Sequence, residues 1–223
     1  MAGLLERLLG LAAAETLGPD TTVPIEKGRY LVVDTELTGF DRKKDSIVSI
    51  GAIRMDGKSI AMSDSFYQVV SPRTELTAES VVVHGIMPSE TESKPLIDKV
   101  LHEFLEYAKG YVIVGHYISL DLSFIGREVK RVCGKTLKTP AVDTMTIYEW
   151  MKEQTSGPRG HHGAVVQDMD LFSLARKYRI PVSGAHNALM DSFVTAQLFQ
   201  RFLCSLPELG VKTVKDLLKI GRP

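Results

Sequence analysis

Three strand-like segments follow one another in the first third of the chain, with no helical pattern between them. Residues 30–33 form an unbroken apolar run, residues 46–55 form a second apolar stretch, and residues 59–70 form a third. The second and third are separated by Asp56-Gly57, a dipeptide typical of a tight hairpin turn. The chain therefore predicts a sheet that begins with three antiparallel strands.

The pattern changes after residue 95, where strand-like and helical segments alternate. Apolar spacing predicts helices at 96–109, 120–132, 144–152, 171–178 and 187–203, with strands at 111–114 and 141–143. An antiparallel start that continues into parallel β-α units predicts an α/β domain, in which helices flank one mixed sheet. Residues 154–167, which include His161 and His162, are expected to form an exposed loop rather than a metal site, because no suitably spaced partners accompany the histidines.

The composition limits the classes of function. The chain has 223 residues, 44% of them hydrophobic, which suits one globular catalytic domain. Lys plus Arg and Asp plus Glu number 27 each, so no net basic field attracts nucleic acid, and any such contact must be local. Cys133 and Cys204 have neither zinc-site nor disulfide spacing, which favours a reducing, cytoplasmic location.

Both ends of the chain are expected to be accessory segments. Residues 1–27 comprise an amphipathic helix and a linker, residues 28–205 the catalytic domain, and residues 206–223 a helical tail. The leucines at 4, 5, 8 and 9 recur at helical spacing, but the segment is interrupted by charges and too short to span a bilayer. We expect it to dock on its own domain, with a partner protein as the alternative, and we expect no membrane association.

Two carboxylates end the first strand. Asp34 and Glu36 lie two residues apart, so the pleat points both side chains to one face of the sheet. Thr38-Gly39 follows directly and allows a sharp turn and the close approach of a ligand. On its own the pair also fits a solvated strand end.

Asp121, Asp191 and His186 are the other candidates. Asp121 lies in the first turns of a helix among apolar neighbours, where it could also complement the helix dipole. Asp191 lies in a strongly apolar helix, where a buried carboxylate is expected to have a partner. His186 is expected in the loop that enters this helix, with Asn187 as a helix cap, although a lone histidine is more often structural.

Taken together, these motifs resemble the histidine-containing branch of the DEDD exonucleases, the family of the proofreading epsilon subunit of bacterial DNA polymerase III. The resemblance covers residues 28–205. Its first motif is matched by residues 34–39 (Asp-Thr-Glu-Leu-Thr-Gly), its second by residues 116–121, which start with His and end with Asp, and its third by residues 186–191 with the same spacing. Tyr117 departs from the Asn that commonly follows the histidine of the second motif.

The resemblance implies a ribonuclease H-like fold and a 3′–5′ exonuclease, a metal-dependent hydrolase that uses two divalent cations, Mg²⁺ or Mn²⁺. It implies that Asp34, Glu36, Asp121 and Asp191 bind the metals and that His186 is the general base. Substrate contacts are implied for five residues, namely Leu37, Thr38, Gly39, Glu79 and His84. The expected partner is a single-stranded nucleic-acid 3′ end, with a DNA polymerase as a further candidate through either terminal segment. An exoribonuclease and a non-catalytic polymerase-associated module remain the alternatives.

Overall fold

A five-stranded sheet forms the centre of the structure. The computed structural model describes residues 18–155, 169–182 and 186–223. The strands are β1 (Arg29–Leu37), β2 (Ile47–Asp56), β3 (Ser59–Val69), β4 (Val112–Gly115) and β5 (Ala141–Asp143). Their order is β3-β2-β1-β4-β5, with antiparallel pairing of β1 with β2 and of β2 with β3, and parallel pairing of β1 with β4 and of β4 with β5.

Helices cover both faces of this sheet. Within the described residues they are α1 (Ala78–His84), α2 (Pro88–Thr91), α3 (Ile97–Tyr107), α4 (Ser119–Cys133), α5 (Thr144–Thr155), α6 (Leu171–Lys177), α7 (Ala188–Ser205) and α8 (Val214–Ile220). Short 3-10 helices span Ile25–Lys27 and Leu206–Leu209. The predicted ribonuclease H-like fold, a mixed sheet with an antiparallel start, is confirmed.

The alternation of β1 divides the core and positions the site. Tyr30 and Val32 pack into a cluster with α5, α6, α7 and α8, whereas Leu31 and Val33 pack into a second cluster with α3 and α4. Because successive side chains of a strand point to opposite faces, Asp34 and Glu36 continue the first set and Thr35 continues the second. The tip of β1 therefore presents polar groups towards both helical layers.

The predicted strands and the longer helices are present within a few residues of their expected bounds. The helices α1 and α2 lie where the sequence pattern predicts no element. Thr77 begins α1 by accepting a hydrogen bond from the Ser80 backbone, while Val82 and Val83 stay exposed, so the helix lacks the apolar stripe that would have revealed it. The amphipathic segment at residues 1–17 and the histidines at 161 and 162 lie outside the described residues.

The tail is packed into the domain. Val211, Val214 and Leu217 are buried in the same cluster as α7. The tail also runs beside the segment before β1, where Ile25 N–H donates to the Lys212 carbonyl at 3.0 Å. The division at residues 27 and 205 stays a prediction. None of the helices in the described part of the chain is long and apolar enough to cross a membrane.

Candidate active site

Three carboxylates converge beside β1. One oxygen from each of Asp34, Glu36 and Asp191 lies within 4.8 Å of the others. The strand supplies the first two residues from the same face, and the first turn of α7 supplies Asp191. The structure therefore joins two motifs that are separated by more than half of the chain.

Gly51 allows α7 to approach the sheet closely. It lies opposite Asp34 in the pairing of β1 with β2. A Cβ atom built at this glycine would lie 2.2 Å from the Ala188 carbonyl carbon and 2.4 Å from the Leu189 nitrogen, far inside van der Waals contact. Ser192 Oγ donates to the Gly51 carbonyl at 3.0 Å and ties the two elements together. The missing side chain at position 51 thus places Asp191 next to Asp34.

Asp121 reaches the tip of β1 from the opposite helical layer. Its Oδ1 accepts hydrogen bonds from the Thr35 backbone nitrogen at 2.9 Å and from Thr35 Oγ1 at 2.6 Å. Asp121 lies in the first turn of α4 and is buried. Its charge is felt at Asp34, where it is the largest of the carboxylate repulsions. Asp121 therefore flanks the three-carboxylate cluster without belonging to it.

The four acids hold protons unusually tightly. Burial raises the pKa of Asp34 well above its ordinary value, and the charges of Asp121, Glu36 and Asp191 add to this rise. Burial, followed by the charges of Asp191 and Asp121, raises the pKa of Glu36 to about 7. Burial also raises the pKa of Asp121 to about 7 and that of Asp191 to about 6. Such values indicate that these carboxylates are crowded and desolvated.

This donor set fits divalent cations. Asp191 Oδ1 is buried and has no hydrogen-bond partner within the part of the chain that the structure describes. None of the ion pairs formed by the described lysines and arginines includes Asp34, Glu36, Asp121 or Asp191. A cluster made only of carboxylate oxygens suits hard ions such as Mg²⁺ and Mn²⁺.

His186 lies outside the helix that carries Asp191, as predicted. Asn187 caps α7, with its side-chain oxygen accepting from Leu189 N at 3.1 Å and from Met190 N at 3.3 Å. His186 is exposed, has a φ of 63°, and packs its ring edge-on against Phe172 at 5.3 Å. Its charge and a hydrogen bond from its backbone both act to lower the pKa of Asp191, although burial dominates. The imidazole thus lies at the rim of the acidic cluster.

The expected substrate-contact residues lie in different environments. Leu37 ends β1 and is half-buried, whereas Glu79 is exposed on α1. Thr38 is buried and its Oγ1 donates to Asp45 Oδ1 at 2.9 Å. At Gly39, the space that a side chain would need is filled by this same Asp45 carboxylate, 2.5 Å from the position of a Cβ. The glycine therefore accommodates the turn that follows β1.

Among these five residues, His84 has a buried polar atom that lacks a partner in the described part of the chain. It is buried at the end of α1, where its Nδ1 accepts a hydrogen bond from Ile86 N–H at 3.0 Å. Because Nδ1 is an acceptor, the neutral ring carries its proton on Nε2, and burial lowers the pKa of this histidine. Nε2 has no partner among the described residues. The ring thus offers one free N–H.

Two residues near the site were not singled out from the sequence. Gly51 lies in the middle of an apolar strand, where an isolated glycine indicates the close approach of another backbone. Asp143 directly precedes α5, the position of a helix cap, and its buried carboxylate accepts hydrogen bonds from three backbone amides. Both signals are present in the sequence, but neither identifies the element that is contacted.

Bacterial DNA polymerase III proteins are similar to this chain in sequence. The chain is 30% identical over 191 residues to the PolC-type DNA polymerase III of Caldanaerobacter subterraneus, a match that covers 86% of this chain and 13% of that protein. It is 28% identical over 176 residues to the DNA polymerase III epsilon subunit of Aquifex aeolicus, covering 79% of this chain and 81% of that one. The chain thus spans only about an eighth of the PolC-type relatives.

Solved structures share the fold. Escherichia coli exonuclease I, in complex with a dT13 oligonucleotide, matches with a TM-score of 0.67 and 17% identity over 82% of this chain and 42% of that one. Exonuclease X, in complex with 5′-overhanging duplex DNA, matches with a TM-score of 0.61 and 18% identity over 86% of this chain and 98% of that one.

A family model provides the assignment. The RNase T model, described as exonuclease, matches residues 31–199 and so contains all three acidic motifs. The resemblance inferred from those motifs is confirmed. The chain belongs to the exonuclease family.

Proposed function

We propose that the protein is a metal-dependent 3′–5′ exonuclease that hydrolyses single-stranded DNA ends to nucleoside monophosphates. The observation that carries this proposal is the cluster of Asp34, Glu36 and Asp191, three carboxylates within 4.8 Å of one another in a chain of the exonuclease family. Crowded acids without a cationic side chain are costly to maintain unless they hold a cation. A non-catalytic binding module has no need for this arrangement.

The acids divide between two metal sites in this proposal. Asp34, Glu36 and Asp191 would hold one cation, and Asp34 would share a second with Asp121. When bound, Mg²⁺ or Mn²⁺ ions supply a nucleophilic water at neutral pH and neutralise charge on the leaving oxygen. The raised pKa values of Asp34 and Glu36 support this assignment, because bound cations would offset both the burial of these carboxylates and the repulsion between the acids, which together raise the values.

His186 is the proposed general base. An imidazole suits proton transfer near neutral pH, and this one stands on an exposed loop beside Asp191 rather than inside α7. The ring would accept the proton of the attacking water as the water oxygen bonds to phosphorus and the bond to the 3′ oxygen of the preceding nucleotide breaks. Packing against Phe172 would hold the ring in place.

The terminal nucleotide is proposed to lie between the tip of β1 and α1. The free Nε2–H of His84 supports this placement, since a buried donor without an acceptor is unfavourable until a ligand supplies one. Leu37, Thr38 and Gly39 would contact the nucleotide from the end of β1, and Glu79 from α1. These contacts are local, as the balanced net charge of the chain requires.

A DNA polymerase is the proposed protein partner, because relatives of this chain are named as DNA polymerase III proteins. Such a partner would have to contact a surface other than the buried side of α8, where Val214 and Leu217 already pack against the domain. A cytoplasmic location belongs to the same proposal. It is supported by Cys133 and Cys204, which are free thiols, as expected in a reducing compartment.

The proposal is tested with 5′-labelled single strands of DNA and RNA of one sequence, incubated with Mg²⁺ or Mn²⁺. The DNA strand should shorten stepwise from its 3′ end and release mononucleotides, faster than the RNA strand. Faster loss of the RNA would replace the DNA assignment with the exoribonuclease alternative. Shortening by an Asp34→Asn preparation at the wild-type rate would show that the acidic cluster is not responsible.

A further inference from the structure

The Asp143 carboxylate lies at the end of β5 and accepts hydrogen bonds from three backbone amides of the described residues. It is 4% exposed. Oδ1 accepts from Tyr117 N at 3.2 Å and from Met145 N at 2.8 Å, and Oδ2 accepts from Ile118 N at 2.9 Å. The bond to Met145 caps α5, but the other two cross from β5 to the turn that follows β4.

That turn needs outside support. Tyr117 has a φ of 54°, a left-handed conformation that is unfavourable for a bulky residue and persists only when its surroundings impose it. Thr144, next to Asp143, adds two contacts, since its Oγ1 lies 2.8 Å from His116 Nδ1 and donates to the Gly115 carbonyl at 3.2 Å. The start of α5 therefore holds the strained turn from one side.

The turn leads directly into the helix that carries Asp121. Leu120 N–H donates to the Tyr117 carbonyl at 3.1 Å, and Leu122 N–H donates to the Ile118 carbonyl at 2.9 Å. These bonds form the first turn of α4, so a shift at residues 117 and 118 moves Asp121 with it. The contact of Asp121 with Thr35 at the tip of β1 depends on that placement.

Asp143 is itself fixed from its other side. Its strand has only three residues, and on the edge away from β4 the Asp143 backbone nitrogen donates to the Gly221 carbonyl at 2.7 Å. Gly221 packs tightly against Ile147 and Val142. A Cβ atom built at this glycine would lie 2.8 Å from Ile147 and 3.0 Å from Val142. The end of the tail thus anchors the short strand.

We propose that Asp143 is a positioning residue, which fixes the turn at residues 116–118 and thereby sets where the Asp121 carboxylate stands. It acts through Asp121 and touches neither substrate nor metal. The inference deepens the proposed function, because it rests on Asp121 serving a metal site. A purely local alternative is that Asp143 only caps α5 through Met145.

Two substitutions at Asp143 distinguish the positioning role from the capping role. Asp143→Ser keeps a side-chain oxygen that caps a helix well, but the shorter side chain cannot reach the amides of Tyr117 and Ile118. Asp143→Asn keeps the shape and one of the two acceptor oxygens, so it should fall between Asp143→Ser and the wild type. Tyr30→Phe is the matched control, because it removes the buried bond from the Tyr30 hydroxyl to the Ile25 carbonyl, 2.7 Å long, at the other end of β1.

The first readout needs neither metal nor activity. The Thr35 amide proton donates to Asp121 Oδ1, so its hydrogen exchange reports the position of Asp121 directly. In metal-free protein, Asp143→Ser should speed exchange of the Thr35, Tyr117 and Ile118 amides by about tenfold or more, and Tyr30→Phe should leave all three unchanged. Unchanged Thr35 exchange in folded Asp143→Ser would overturn the proposal.

The second readout is Mn²⁺ binding measured by calorimetry. Asp143→Ser should weaken Mn²⁺ affinity roughly tenfold, Asp143→Asn less, and Tyr30→Phe not at all. Wild-type affinity in Asp143→Ser would overturn the positioning role, as would failure of both variants to fold while Tyr30→Phe folds. A wild-type protein that binds Mn²⁺ but shortens no strand would instead refute the proposed function and leave the amide-exchange result standing.

Discussion

Gly51 lies directly across from Asp34 in the pairing of β1 with β2, and the space that a side chain there would occupy is filled by the backbone of Ala188. The first turn of α7 therefore rests on the sheet beside the first acidic motif. Replacing Gly51 by any other residue forces backbone apart, since the three atoms nearest to the added Cβ all belong to the backbone of Ala188 and Leu189.

We predict that Gly51→Ala lowers both stability and nuclease activity. Overpacking of this kind costs about 1–3 kcal/mol, and the displaced helix carries Asp191 away from Asp34. Gly126→Ala is the control, because within the described residues the added Cβ meets only Leu137 Cβ, at an ordinary 3.8 Å. Chemical denaturation and strand-shortening rates should show losses for Gly51→Ala alone, and equal behaviour of the two variants would refute the packing argument.

Neutralising Asp34 should lower nuclease activity but raise the stability of the fold. We predict that Asp34→Asn abolishes activity yet raises the melting temperature of metal-free protein at pH 8 by about 2–5 °C, because one of four crowded carboxylates is neutralised. Asp56→Asn, on the exposed end of β2, is the matched charge change and should alter neither property appreciably. A lower melting temperature for Asp34→Asn would contradict the repulsion inferred here.

The raised pKa of Glu36 predicts how stability depends on pH. Its value of about 7, against an ordinary 4.5, means that the folded protein retains a proton that the unfolded chain releases. The resulting stabilisation is complete below about pH 4.5 and is lost as the pH rises through 7. Metal-free protein should therefore lose stability from pH 5 to pH 8 through this group.

The titration of histidines also changes stability with pH, so the experiment needs a control for it. Burial lowers the pKa values of His84 and His116, and these groups act in the opposite direction below about pH 6.5. The effect of Glu36 is therefore read as the difference in unfolding free energy between wild type and Glu36→Gln. As the pH rises, the wild type should lose unfolding free energy relative to Glu36→Gln. A difference that does not change with pH would rule out the raised pKa of Glu36.

The left-handed backbone of His186 determines how its role should be tested. With a φ of 63°, an alanine at this position would be strained, whereas asparagine tolerates the conformation. We predict that His186→Asn slows turnover roughly 10²- to 10⁴-fold and leaves Mn²⁺ affinity nearly intact. Phe172→Leu, which removes the edge-on contact with the imidazole ring but leaves the ring itself, should cost less turnover. Unchanged turnover in folded His186→Asn would remove the residue from proton transfer.

Local patterns predicted the strands, the longer helices and the face of β1 on which the first motif lies. The two-residue spacing of Asp34 and Glu36 placed both on one face of β1, and Asn187 marked where α7 begins. These features depend on residues close together in the chain, where strand and helix periodicity apply directly.

Local sequence patterns do not identify contacts between residues that are far apart in the chain. The bonds of Asp143 reach amides 25 and 26 residues away, and the contact of Asp121 with Thr35 spans 86 residues. The sequence marks a helix cap at Asp143 but not which turn its second oxygen holds. The helix α1 was missed because Val82 and Val83 are exposed rather than buried.

We propose that the acidic cluster at the tip of β1 cleaves nucleic acid from a free 3′ end. The most direct measurement compares a linear single strand of DNA with a closed circle of the same sequence, in Mn²⁺ and after chelation. We expect the linear strand to be degraded to mononucleotides, the circle to survive, and chelation to stop the reaction until metal is restored. Cleavage of the circle as fast as the linear strand, or degradation that persists without metal, would refute a metal-dependent exonuclease.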